Sequence, residues 1–248
     1  MAIAFVLLLA GGAMAITGLT GRRRGQGPQT SLGNDVDIVR LRLALDWRAG
    51  DALRPALAGL AQRATGSPTA RAKAVRRALD VLEEHRLSWL FAEVDDHRPM
   101  ESSAAAATLQ SLRDELATAH QDLDALARTA PVGEGYRALG AHAEGVVVVT
   151  LVVASNSAII DADTSDLRGV ERVIGTLRRH TASELVALEL DVTPSAERAR
   201  IPTDSLLASN PRMQRLEGIR GRAHCASCTA PYEETRERCP HCAEPRAA

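Results

Sequence analysis

The stretch EGVVVVTLVVAS, Glu144 to Ser155, restricts the architecture of this chain more than any other. From Val146 to Val153 nearly every side chain is β-branched, and Gly145 and Ser155 bound the run. It is far too short to cross a bilayer as a helix. A bounded apolar run of this length reads as an extended strand buried on both faces. The chain must therefore build layers on both sides of a sheet around a central, doubly covered strand.

The neighbouring patterns supply those layers. VDIVRLRLALDW sets Val39, Leu41, Leu43, Leu45 and Trp47 against Arg40, Arg42 and Asp46, which predicts a half-buried strand. A helix then follows with Asp51 as its N-cap, Pro55 in its first turn, and Leu53, Leu57 and Leu60 on one face. Ser67 and Pro68 open a second helix that buries Val75, Leu79 and Leu82. The longest helix runs from about Glu101 to Ala130, with an apolar stripe through Leu109, Leu112, Leu116, Ala119, Leu123 and Leu126. Another is expected over about Ser165 to His180, and a last strand over LVALELDVTP. The order strand, helices, strand, helix, strand gives an α+β fold with helices packed on a small mixed sheet.

Both ends of the chain carry something different. No residue from Ala2 to Gly21 is charged, and Arg22, Arg23 and Arg24 follow. A helix of that length spans about 30 Å, the thickness of a bilayer core. A signal peptide carries its positive charge before the apolar run, whereas cytoplasmic flanks collect Arg and Lys after it. The expectation is an uncleaved single-pass transmembrane helix over 1–21, a basic Gly-rich linker over 22–34, and a cytoplasmic bulk. A cleaved or exported form is the alternative.

Near the other end stand all four cysteines: Cys225, Cys228, Cys239 and Cys242, a CxxC pair on each side of a polar stretch. In a reducing compartment such pairs read as a metal site rather than disulfides. Four thiolates suit a tetrahedral structural zinc, with Pro231 turning the hairpin between the pairs and Tyr232 covering the metal. Arg222, Arg236 and Arg238 are placed to offset the charge. Redox-active dithiols and two disulfides are the alternatives. The tail resembles a zinc ribbon over 223–248, except that Thr229 and Ala243 stand where a glycine often follows each CxxC.

The stretches LRLALDWRAGDALRPALAGLA, EGVVVVTLVVAS and ELVALELDVTPS together resemble the domain-of-unknown-function 1517 family. The likeness covers about Val36 to Pro211. It implies a membrane-attached α+β domain, set here at 35–200, and no established catalytic residues. Residues 201–222, with Arg212, Arg215 and Arg220, are expected as a basic linker to the ribbon.

No phosphate loop, nucleophile elbow or zincin motif occurs. DADTSD offers Asp161, Asp163 and Asp166, but the Gly and late Glu of an EF-hand are missing, so a loop capped by Asp166 is expected. Asp95, Asp96 and His97 in EVDDHRP read as a solvated turn, and His85, His120, His142 and His180 as scattered. A net charge of −1 and 2% aromatics disfavour nucleic acid as a partner. The functional expectation is a membrane-anchored, non-enzymatic adaptor or assembly protein, with the bilayer and a protein as its partners. The alternatives are a tethered hydrolase or thiol-redox enzyme, or a ribbon that binds nucleic acid.

Overall fold

A computed structural model describes residues 35–129, 145–159 and 165–246. Strand β1 (Asp35–Asp46) is central to a sheet formed with β2 (Trp89–Glu101), β3 (Val146–Ser155), β4 (Leu185–Thr193) and β5 (Gln214–Arg215). The order is β4-β3-β1-β2-β5. Every pairing in it is antiparallel, so the expected mixed sheet is corrected to an antiparallel one. β3 is buried along its whole length between β1 and β4, as its uninterrupted valines require.

One face of the sheet carries α1 (Gly50–Leu57), α2 (Leu60–Ala64), α3 (Pro68–Glu84) and α5 (Leu167–Arg179). Val39, Leu41, Leu43 and Leu45 of β1 and Val147, Val149, Leu151 and Val153 of β3 pack there against Leu53, Val75, Leu79, Val170 and Leu177. Ser67 caps α3 by accepting the Ala70 N–H at 3.1 Å, with Pro68 as first residue. The helix expected over Asp51 to Leu60 breaks at Gly59, which has φ 69° and a left-handed turn that suits glycine. Asp51 lies in the first turn of α1 rather than capping it, and Pro55 lies deeper inside.

The other face is covered by α4 (Ser102–Thr129) and α6 (Thr203–Ser209). Here the apolar packing splits in two. Ala105, Leu109 and Leu112 of α4 meet Val36, Ile38, Val152 and Ala154 at one end of the sheet. Leu123 and Ala127 meet Ala44, Phe91, Val146, Val148, Ile201 and Leu206 at the other. The stripe on α4 thus packs within the domain. β1, expected to be half-buried, is buried on both faces, because Arg40 and Arg42 lie beneath this helix.

Two stretches differ from expectation in kind. EVDDHRP is part of β2, not a turn: Asp95 and Asp96 pair with Arg40 and Val39 of β1. Charges at inward-facing positions had disguised the strand's period. Residues 201–222 carry α6 and β5 and bury Ile201, Leu206, Met213, Leu216 and Ile219, so they are part of the domain's packing rather than a bare connection. The expected transmembrane helix (1–21) and linker (22–34) lie outside the described residues. Among the described residues, no helix is long and apolar enough to cross a membrane.

Candidate metal centre and polar cleft

The tail after Gly221 forms a hairpin of β6 (Arg222–His224) and β7 (Pro231–Glu233), followed by a second turn. Two knuckles match residue for residue. The Thr229 N–H donates to the Cys225 carbonyl and the Ala243 N–H to the Cys239 carbonyl, both at 2.9 Å. Thr229 and Ala243, the residues standing in for glycine, adopt φ of 58° and 61°. A left-handed conformation at a non-glycine residue costs about 1–2 kcal/mol. The chain accepts that cost twice to aim four sulfurs at one point.

The four Sγ atoms lie within 4.8 Å of one another. Cys225 and Cys242 are 3.5 Å apart and Cys228 and Cys239 3.6 Å, with all four thiols free. A disulfide needs about 2.05 Å. A tetrahedron with Zn–S bonds of ~2.3 Å has edges of about 3.8 Å. The spacing therefore fits a metal and not a bond. Three of the cysteines are buried and Cys242 is partly so.

Their protonation follows from the crowding. Burial alone would push the Cys225 thiol up, but the Cys228 and Ser227 N–H groups outweigh it and bring the value down to about 7. Cys228 is pushed up to about 12 by burial and by the neighbouring sulfurs, against an opposing Ala230 N–H. Cys242 is also raised: the Glu244 N–H lowers it, but burial and the sulfurs of Cys225 and Cys239 prevail. Cys228 and Cys242, both raised, must release their protons before the ring can take a cation.

The arginines sit differently from the expectation. Arg222 donates to the Trp89 carbonyl and, at 2.7 Å, to the Leu216 carbonyl. Arg236 pairs with Glu233, and Arg238 donates to the Ala243 carbonyl. A cation that touches a knuckle from the domain side is Arg48, whose Nη2 donates to the Cys228 carbonyl at 3.1 Å. Asp46 holds Arg48 at 2.7 Å. The tail is thus docked on the corner where β1 ends, and β7 packs beside the Arg86–Ser88 turn.

A second site lies in the gap between the two apolar clusters beneath α4. Across the sheet, Asp191, Thr150, Arg42 and Glu93 stand in one row, and Glu189, Val152, Arg40 and Asp95 in the next. Arg40 donates to Asp95 at 2.6 Å and to Glu115 of α4 at 2.9 Å. Arg42 donates to Glu93 at 3.2 Å and to the Asn210 side chain at 2.7 Å. Arg40, Arg42 and Glu115 line a cavity of about 180 Å³ together with Thr150, Ala119, His120 and Asp191. The Nε atoms of Arg40 and Arg42 are buried without a hydrogen-bond partner. An unmet buried donor costs about 1–3 kcal/mol.

His120, expected to be without a partner, has three. Its Nδ1 lies 2.9 Å from Asp191 and 3.0 Å from the Thr193 hydroxyl, and its Nε2 3.6 Å from Asp124. The hydrogen bond to Asp191 raises its pKa; burial opposes this and the charges of Asp191 and Asp124 add to it. A group whose folded pKa is raised contributes stability in full below its unfolded value, and loses it as pH rises through the folded one. NMR titration should place His120 above the ordinary ~6.5, and Asp191→Asn should bring it down. A titration left unchanged by that substitution would remove Asp191 as the cause.

Of the acidic loop, Asp166 caps α5 by accepting the Gly169 N–H at 2.7 Å. Asp161 and Asp163 lie outside the described residues. A signal for the cleft was present in the opposite charges of Arg40 and Arg42 on one strand and Glu189 and Asp191 on another. Each set, read strand by strand, looks like a solvated face. Compared with known proteins, residues 35–216 match the model of a family described as Protein of unknown function (DUF1517). No curated protein and no solved structure matches the chain.

Proposed function

Because the chain belongs to the DUF1517 family of proteins of unknown function, we propose a role from its own geometry: a membrane-tethered adaptor whose α+β domain carries a tail folded around a structural zinc ion. The carrying observation is the ring of Cys225, Cys228, Cys239 and Cys242, with all sulfurs within 4.8 Å of one another. Four soft thiolates in a tetrahedral array favour zinc, and a filled set leaves no position for a substrate or water. The ion when bound would supply a crosslink between the two knuckles. Thr229 and Ala243 turn the sulfurs inward, and Arg48 steadies the first knuckle.

The tether is the charge-free run from Ala2 to Gly21, and the arginines behind it favour a cytoplasmic domain facing anionic lipid and a protein partner. A cytoplasm-active reporter fused after Ala248 should be active, and a reporter that needs export should be silent. The opposite pair of results would overturn the orientation and reopen disulfides for the tail. A second reading is an enzyme working in the cleft beneath α4. It is favoured by His120, whose two ring nitrogens face Asp191 and Asp124.

A further inference from the structure

We propose that the cleft between the first turn of α5 and the loop through Gly218 and Arg220 binds a phosphate monoester group, held by Arg168 and Arg220. The cleft has a volume of about 690 Å³ and is lined by Arg86, Leu167, Arg168, Glu171, Gly218 and Arg220. Arg168 and Arg220 are both exposed, so their donors are open to a ligand. Neither side chain has a hydrogen bond or ion pair among the described residues. A guanidinium offers donors only, in a planar fork that fits two oxygens of one group. A carboxylate has two oxygens and fills one such fork. A phosphate monoester presents three, with a charge of about −1.5 to −2 near neutral pH, enough to engage both.

Both arginines stand on anchored backbone. Leu216 and Ile219 are buried on either side of Gly218, whose φ of 72° makes the turn between them. The Leu216 N–H donates to the Leu90 carbonyl at 2.8 Å, which ties the loop to the sheet. A side chain at Gly218 would meet nothing within 4 Å, so there is room beside the turn. Arg168 is the second residue of α5, where Asp166 accepts only the Gly169 N–H. The acids nearby are accounted for. Glu171 is held by Arg86, which also faces Glu83 at 3.7 Å, so Arg86 brings charge to the cleft but no free fork. Glu217 favours the charge of Arg222. Three arginines against one glutamate leave the lining positive. The site draws on neither the metal nor the tether.

The test is phosphorus NMR of inorganic phosphate with the full-length chain in detergent micelles at fixed ionic strength. The resonance should broaden, with a saturable dependence on phosphate concentration. Arg168→Gln and Arg220→Gln should each weaken binding about tenfold, and the double variant should abolish it. Arg178→Gln removes the same charge from the last turn of α5, where Arg178 meets Asp80 at 3.0 Å, and should leave binding unchanged. Glu171→Gln should tighten binding about threefold by removing the one carboxylate in the lining. Glycerol phosphate and micelles carrying phosphatidic acid are then compared as competitors. Displacement by glycerol phosphate alone, or by both at equal concentration, assigns a soluble phosphate monoester. Displacement by phosphatidic acid at far lower concentration assigns a lipid headgroup. An absence of saturable broadening, an equal loss in Arg178→Gln, or displacement by neither competitor would overturn the site.

Discussion

Elemental analysis of the full-length chain prepared under reducing conditions should find one zinc per chain, and Cys239→Ser should reduce it to near zero. Structural zinc in small thiolate sites is worth about 10–16 kcal/mol near neutral pH. The tail has little else to hold it: its own buried cluster is Cys225, Cys228, Ala230, Tyr232 and Cys239. Three of those five are the proposed ligands, so losing the ion removes the reason for the fold. The variant tail should become protease-sensitive from about Arg222 onward. Acidification should release zinc from the parent, since Cys228 and Cys242 hold protons that the cation must displace. No zinc in the reduced parent, or stoichiometric zinc in the variant, would sink the assignment.

The same substitution should also reach the α+β domain, to a smaller degree. Arg48 would lose the Cys228 carbonyl, and the Arg222 bonds to the Trp89 and Leu216 carbonyls would loosen with the tail. Hydrogen bonds from charged donors contribute about 1.5–3 kcal/mol each, so the domain's unfolding midpoint should fall by several degrees. It should remain cooperative, because the three clusters that pack the sheet draw on nothing beyond Ile219.

How much of this was legible beforehand depended on whether a residue's surroundings were local. β3, α3 with its Ser67 cap, α5 with its Asp166 cap and the paired CxxC turns follow from short-range rules, and the structure forms them. β2 did not announce itself. Glu93 and Asp95 occupy inward positions that an isolated strand would fill with apolar side chains. Arg40 and Arg42, more than fifty residues earlier, and Arg212, more than a hundred later, make those positions habitable. Likewise Arg212 and Arg215 gave 201–222 the composition of a solvated stretch. Arg212 in fact reaches Glu93 at 2.8 Å, and Arg215 lies over the Phe91 ring at 5.7 Å. His120 is the same case on a helix, since Asp191 and Thr193 reach it from β4 after a long excursion of the chain. Charges that neutralise one another across the sheet look, one strand at a time, like charges for water.

That reciprocity gives the largest effect expected within the domain. Arg40→Met should destabilise the fold by about 3 kcal/mol, the low end of the range for breaking a buried pair. For a domain of this size that is roughly a 6–12 °C fall in midpoint. The low end applies because Asp95, 13% exposed, keeps Arg212 and His97 as neighbours, and Glu115 can turn to solvent. Adding Asp95→Leu should recover much of the loss, since an apolar pair of similar volume pays no desolvation. The pH dependence separates this from simple loss of packing. Burial pushes Asp95 up, but Arg40 and Arg212 outweigh it and hold its pKa below the ordinary carboxylate value. A depressed folded pKa contributes stability above the unfolded value of ~3.9 and loses it as pH falls through the folded one. Without Arg40 the Asp95 carboxylate protonates at higher pH, so the acid limb of the stability curve should shift upward in Arg40→Met. In the double variant that shift should vanish along with the carboxylate. An acid limb that is the same in parent and single variant would mean that the Arg40–Asp95 pair contributes packing and no charge.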